Sequence, residues 1–221
     1  MVVSELPLAL MVVGIVFVGL YLSNIAYDYK MPQYLSRKIG HLCGGMGLLM
    51  CVFFFSEPWY PLILAGGFTL ILGGARILKP STFRGVSRAS TMAEVYFPLS
   101  ATIVLAVGWA ILNNPLLAVA CILMMAWGDA TTGIVRSKVY GRPVKGWWGS
   151  LAMFITCFII GWAFIQPLYL ALAVSFGATL TEWACGDVSK IRLLRKVDDN
   201  LSIPIVSAVI AFGGLYVINL L

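Results

Sequence analysis

Hydrophobic residues run through this chain in long blocks rather than in the narrow stripes of a water-soluble helix. Eight blocks stand out, at about 6–27, 41–56, 59–77, 95–112, 115–135, 150–165, 167–184 and 204–221. A bilayer-crossing helix needs roughly 20 mostly apolar residues. Several blocks are shorter than that, so some helices must continue into the polar connections. The pattern predicts an all-α, polytopic integral membrane protein: about eight transmembrane helices in one bundle, a single domain over residues 1–221.

The polar gaps between the blocks alternate in kind. All fifteen Lys and Arg residues fall in the gaps 28–40, 76–94, 136–149 and 185–203. The gaps around Ser56–Pro58, Asn113–Asn114 and Gln166–Pro167 carry none. Cytoplasmic loops retain Lys and Arg, so the cationic gaps predict the cytoplasmic face and place both termini on the other side. The first block has no positive region before it and no small-residue cleavage site, so it reads as a retained span rather than a signal peptide. A prokaryotic plasma membrane or an ER-type membrane fits this layout.

Composition agrees with the pattern. The chain is 61% hydrophobic and 11% charged, with a mean hydropathy of +0.95. No soluble domain is left over to bind nucleic acid. The net charge of +6 comes from the cationic gaps and suits anionic lipid headgroups or a polyphosphate. The five cysteines form no C-x-x-C pair and read as small buried apolar residues. Nothing in the chain fixes an oligomeric state.

Seven of the nine acids also lie on the cationic side: Asp28, Glu94, Asp129, Glu182, Asp187, Asp198 and Asp199. A face that only obeyed the charge rule would need cations and no such set of acids. Acids at the ends of apolar spans are costly and mark functional sites by default. Carboxylate oxygens suit a hard divalent cation, and Mg2+ often links one or two of them to a substrate phosphate.

Five segments carry this chemistry. In Trp127–Gly133 and on to Arg136, a continuing helix would set Asp129, Thr132, Gly133 and Arg136 on one face. That face suits a metal-bound phosphate, or an interfacial Asp129–Arg136 pair. Arg136–Ser150 holds four cations and three glycines, and Ser150 could cap a helix beginning at Leu151. This reads as a phosphate cradle with Lys145, or as an aromatic anchor at Trp147-Trp148. Asp198-Asp199-Asn200 offers several oxygens before a helix that Pro204 could start, or simply complements a helix dipole. Thr91-x-x-Glu94 has the form of a capping box, and His41 follows Arg37 and Lys38 at helical spacing.

Taken in order, Arg37-Lys38-x-x-His41, Glu94–Leu99, Gly128-Asp129-Ala130 with Gly133, Lys145 with Gly149-Ser150-Leu151-Ala152, Ala178-Thr179-Leu180-x-Glu182 and Asp198–Pro204 resemble the CTP-dependent lipid-alcohol kinases. These are the dolichol, phytol and yeast-type diacylglycerol kinases, related to the CDP-diacylglycerol synthases. The matching pieces cover about residues 37–205. The resemblance implies transfer of the γ-phosphate of CTP to the hydroxyl of a membrane alcohol. A polyprenol, dolichol or phytol-like isoprenoid comes first and diacylglycerol second. The late Lys-Asp and Pro-Gly-His-Gly-Gly signature of the cytidylyltransferases is missing, which favours a kinase over a CDP-lipid synthase. A transporter of a phosphorylated solute is a third reading, disfavoured by the nearly uncharged outer half.

On that reading Asp129, Asp198 and Asp199 hold Mg2+ against the triphosphate. Arg37, Lys38, His41, Lys145, Gly128, Gly133, Gly149, Ser150 and Asn200 bind the nucleotide and its phosphates. Asp129, Glu182 and Glu94 are the catalytic candidates, with either Glu182 or Glu94 orienting the lipid hydroxyl or taking its proton. The lipid would enter sideways between helices.

Overall fold

The computed structural model describes residues 5–87 and 91–220. Arg88 of the second cationic gap and Leu221 at the end of the last expected span lie outside these residues. The described chain is built of helices: α1 (Glu5–Asp28), α2 (Gln33–Phe54), α3 (Trp59–Leu78), α4 (Ala93–Leu105), α5 (Pro115–Leu123), α6 (Asp129–Tyr140), α7 (Trp147–Phe164), α8 (Leu168–Ala184) and α9 (Asp199–Leu220). A π-helical turn, Ala106–Ile111, extends α4, and another, Met124–Gly128, joins α5 to α6 into one rod. Short connections make successive rods antiparallel.

Six of the rods are long and apolar enough to cross a bilayer. The other two expected spans are α8, a shorter apolar helix, and α2, whose first half carries Arg37, Lys38 and His41. The result is the expected all-helical, polytopic membrane fold.

The rod formed by α5, its π turn and α6 lies at the centre. Residues 117–126 are buried without interruption, as a helix apolar on all sides must be. It is ringed by α2, α4, α7 and α9, with α1 and α3 further out. Asn114 starts it: the Asn114 side chain accepts from the Leu117 N–H at 3.3 Å, and Pro115 takes the first helical position. Gly141, with φ of 65°, ends α6 in the left-handed conformation that glycine adopts without strain. The central rod therefore delivers Asp129 and Arg136 to the cation-bearing end of the bundle.

Helix boundaries differ from expectation at three places, each at a polar sequence. α2 begins at Gln33 rather than 41, because Arg37, expected in a polar connection, is buried against other helices. α7 begins at Trp147, so Ser150 falls in its first turns and does not cap it; Gly146 stands at the cap. α9 begins at Asp199, and Pro204 sits inside it rather than starting it. A proline leaves the carbonyl four residues earlier without its helical donor. Here that carbonyl belongs to Asn200, and the Ser100 hydroxyl of α4 donates to it at 2.9 Å.

The orientation is testable. Cysteines placed at Ser137 and Asn113, at opposite ends of the central rod, should react with a membrane-impermeant thiol reagent from opposite sides of sealed vesicles. Reaction from one side only would sink the eight-span topology.

Candidate functional site

The chemistry gathers where α2, α6, α8 and the start of α9 meet. The π turn before α6 matters first. It widens the helix by a residue just ahead of Asp129, and such turns recur at functional sites. The Gly128 carbonyl takes the hydroxyls of both Thr131 and Thr132, each at 2.8 Å. The expected face is present: Asp129, Gly133 and Arg136 all line one cavity, with Tyr34, Arg37, Lys38, Lys145, Glu182 and Asp199. Thr132 instead points its hydroxyl at backbone, reaching the Gly149 carbonyl at 3.3 Å as well.

The carboxylates of this site are paired with cations, Lys145 serving two of them. The Lys38 ammonium donates to Asp129, and a side chain at Gly133 would collide with Lys38, so this glycine opens the path. His41 Nδ1 lies 3.6 Å from the same Asp129 oxygen. Arg136 does not pair with Asp129. It grips Glu182 with both terminal nitrogens, at 2.6 and 3.0 Å. Lys145 donates to Glu182 Oε1 at 2.5 Å and to the Glu182 carbonyl, and it lies 3.9 Å from Asp199. Planar two-point contact of this kind fixes geometry as well as charge. Gly149 is needed here too, because any Cβ on it would strike the Arg136 side chain.

Arg37 is the exception. It is buried, it lines the cavity, and no carboxylate lies within ion-pair distance of it among the described residues. Its charge still acts on nearby Asp198 and Asp199, and a guanidinium at a cavity wall with no direct ion pair can take an anion there. Tyr34, one turn before it on α2, shares the cavity wall. Sequence reasoning passed over Tyr34; an aromatic one turn ahead of a basic pair was the available signal.

Three of the acids converge. Oxygens of Asp129, Glu182 and Asp199 lie within 4.8 Å of one another. Gly186, at φ of 89°, lets the loop before α9 pass against Asp199, where a side chain would meet its carboxylate. Asp198 lies outside this trio. Its Oδ1 accepts from the Asn200 N–H at 2.9 Å, tying down the start of α9. Burial, reinforced by the neighbouring Asp199 charge, pushes the Asp198 carboxyl up to about 7. The set of three hard oxygens fits a divalent cation such as Mg2+, with Glu182 in the place that sequence reading gave to Asp198.

The remaining candidates fall around this centre. Asn200 is buried and donates from Nδ2 to the Ala93 carbonyl at 3.0 Å, linking α9 to α4. Gly128 packs against Met153 and Cys157 of α7. The Ser150 hydroxyl is buried without a hydrogen-bond partner among the described residues. Glu94 is not part of a capping box: Met92 holds the cap position of α4 without a side-chain bond, and the Thr91 hydroxyl has no partner among the described residues. Glu94 instead accepts from Arg76 of α3 at 3.3 Å.

With this geometry in hand, the chain can be set beside known proteins. A phytol kinase of Synechocystis sp. is 28% identical over 199 residues, covering 84% of this chain and 81% of its own. Probable phytol kinase 3, chloroplastic, of Glycine max is 25% identical over 222 residues, covering 90% of this chain and 68% of that one. Phytol kinase 1, chloroplastic, of Arabidopsis thaliana is 25% identical over 213 residues, covering 83% and 68%. No family model matches the chain. No solved structure matches it either.

Proposed function

We propose that this protein is a membrane lipid-alcohol kinase that moves the γ-phosphoryl group of CTP to the hydroxyl of an isoprenoid alcohol of the phytol or polyprenol class. One observation carries the reading: a cavity that sets buried Arg37, which has no direct ion pair among the described residues, beside the converging carboxylates Asp129, Glu182 and Asp199. That combination suits a polyphosphate held with a divalent cation. The similarity to phytol kinases over most of the chain supports a lipid alcohol as acceptor. The choice of CTP rests on the motif resemblance, and the positive-inside rule assigns the site to the cytoplasmic face.

Phosphoryl transfer is mostly positioning and charge neutralisation. Arg37 and Lys38 approach the cavity from α2 and Lys145 from the loop before α7, so phosphate oxygens can be held from two sides. Asp129, Asp199 and Glu182 would hold Mg2+, which neutralises phosphate charge when bound. Arg136 keeps the Glu182 carboxylate in one orientation. Glu182 is occupied by Arg136 and Lys145, which leaves it poorly placed to take a proton from an alcohol.

The test uses purified protein with Mg2+ and CTP labelled at either the α- or the γ-phosphate. Acceptors are phytol, geranylgeraniol, a polyprenol and diacylglycerol. The expected products are CDP and a lipid monophosphate carrying the γ label, with an isoprenoid alcohol preferred. Pyrophosphate with an α-labelled CDP-lipid would make the protein a cytidylyltransferase. Equal turnover with ATP would remove the assignment of CTP.

A further inference from the structure

A second cavity lies apart from the phosphate site. Helices α1 and α2 pack along their length, and so do α3 and α4, but the two hairpins meet one another sparingly. The rings of Phe17 and Phe68, 5.3 Å apart, bridge α1 to α3. Between the hairpins runs a cleft walled by residues such as Val16, Leu48, Leu64, Phe68 and Ala101. Along α2 it extends from Gly40 to Cys51, roughly 16 Å at the helical rise. That is about half the hydrocarbon thickness of a bilayer.

Apart from the Cys51 thiol, the ionisable side chains that face this cleft among the described residues are His41 and Glu94, and both stand at its cation-bearing end. Glu94 is 5% exposed. Its Oε1 accepts from Arg76, but Oε2 is buried with no hydrogen-bond partner among the described residues. A buried carboxylate oxygen left unsatisfied in an apolar wall is costly. A neutral hydroxyl satisfies it, whereas a phosphate headgroup is repelled by it. His41 packs on Phe97 at 5.3 Å on the cleft side, and its Nδ1 is 3.6 Å from Asp129 on the other. One imidazole thus separates the end of the apolar cleft from the carboxylate cluster.

We infer that this cleft holds the hydrocarbon chain of the acceptor alcohol, with the hydroxyl hydrogen-bonded to Glu94 Oε2 beside His41. The inference rests on the kinase reading for its choice of an alcohol. It makes Glu94, rather than Glu182, the acceptor-binding acid, and it makes the width of the cleft the determinant of which chain fits.

The decisive experiment is photo-crosslinking of the parent protein in nanodiscs with a diazirine-bearing isoprenoid alcohol, mapped by mass spectrometry. Label is expected on cleft residues such as Leu48, Leu64 and Phe68, and excess phytol should displace it. Label confined to the outer faces of the bundle, or displaced by phospholipid and not by phytol, overturns the inference. A second arm uses Ala65→Phe, which narrows the cleft far from the phosphate site. KM for phytol should rise roughly tenfold or more, the scale on which apolar pockets discriminate. KM for the shorter geraniol should change little, and CTP binding should match the parent. An unchanged phytol-to-geraniol ratio in a protein that still binds CTP overturns the inference. If the parent phosphorylates no alcohol, the kinase reading falls, while displaceable label in the cleft still upholds a lipid-alcohol site there.

Discussion

Asp129→Asn is expected to lower turnover by roughly 10²–10³-fold, the loss seen when one preorganised electrostatic contact is removed from an active site. Asparagine keeps the size and one oxygen but not the charge that a hard cation needs. The substitution also leaves Lys38 without its ion-pair partner. Asp199 lies near enough to Lys38 for their charges to interact. The fold should therefore survive the change. The informative measurement is turnover against Mg2+ concentration. Half-saturation should move to higher Mg2+, and Mn2+ binding followed by electron paramagnetic resonance should weaken in the same variant without any substrate. Asp199→Asn should behave alike. Near-parental activity of both variants at limiting Mg2+ would remove these residues from the metal site.

The membrane fold was legible because bilayer solvation acts on each segment independently. A run such as Leu116–Ala126 must be helical and buried in apolar surroundings whatever its neighbours do. The alternation of cationic gaps likewise needs no tertiary knowledge. What failed was the edge of each polar segment. Hydropathy treats Arg37 as a loop residue, yet it is buried in α2, where it lines the cavity that also holds Asp129 and Asp199. The same blindness put the start of α9 at Pro204 instead of Asp199.

Site residues were legible as types and not as pairs. Helical spacing set Asp129, Gly133 and Arg136 on one face, and they do share one cavity. Spacing within one helix could not show that Arg136 would reach across to Glu182, forty-six residues on. Nor could it show that Glu182 would join Asp129 and Asp199 while Asp198 caps a helix. The apolar cleft left no mark on the sequence at all. Its lining residues are those of any membrane-spanning helix, and only the sparse contact between two hairpins makes a space of them.

The second large effect concerns stability. Glu182 is 1% exposed and holds two cations at once, Arg136 and Lys145. Removing one partner from a buried ion pair typically costs about 3–5 kcal/mol, because the remaining charge is left uncompensated. Glu182→Gln should fall in that range, since it strands two buried cations between α6, α8 and the loop before α7. Lys145→Met should cost less, because the two-point Arg136–Glu182 contact survives it. Combining Glu182→Gln with Lys145→Met removes one stranded cation, so the double variant should be more stable than the sum of the single losses predicts. Unfolding of the four proteins in one detergent, followed by tryptophan fluorescence, gives the cycle. If Glu182→Gln unfolds with the parent yet loses turnover, Glu182 serves the bound substrate alone. If the losses simply add, Lys145 and Glu182 act independently and the three-residue cluster does not hold these helices together.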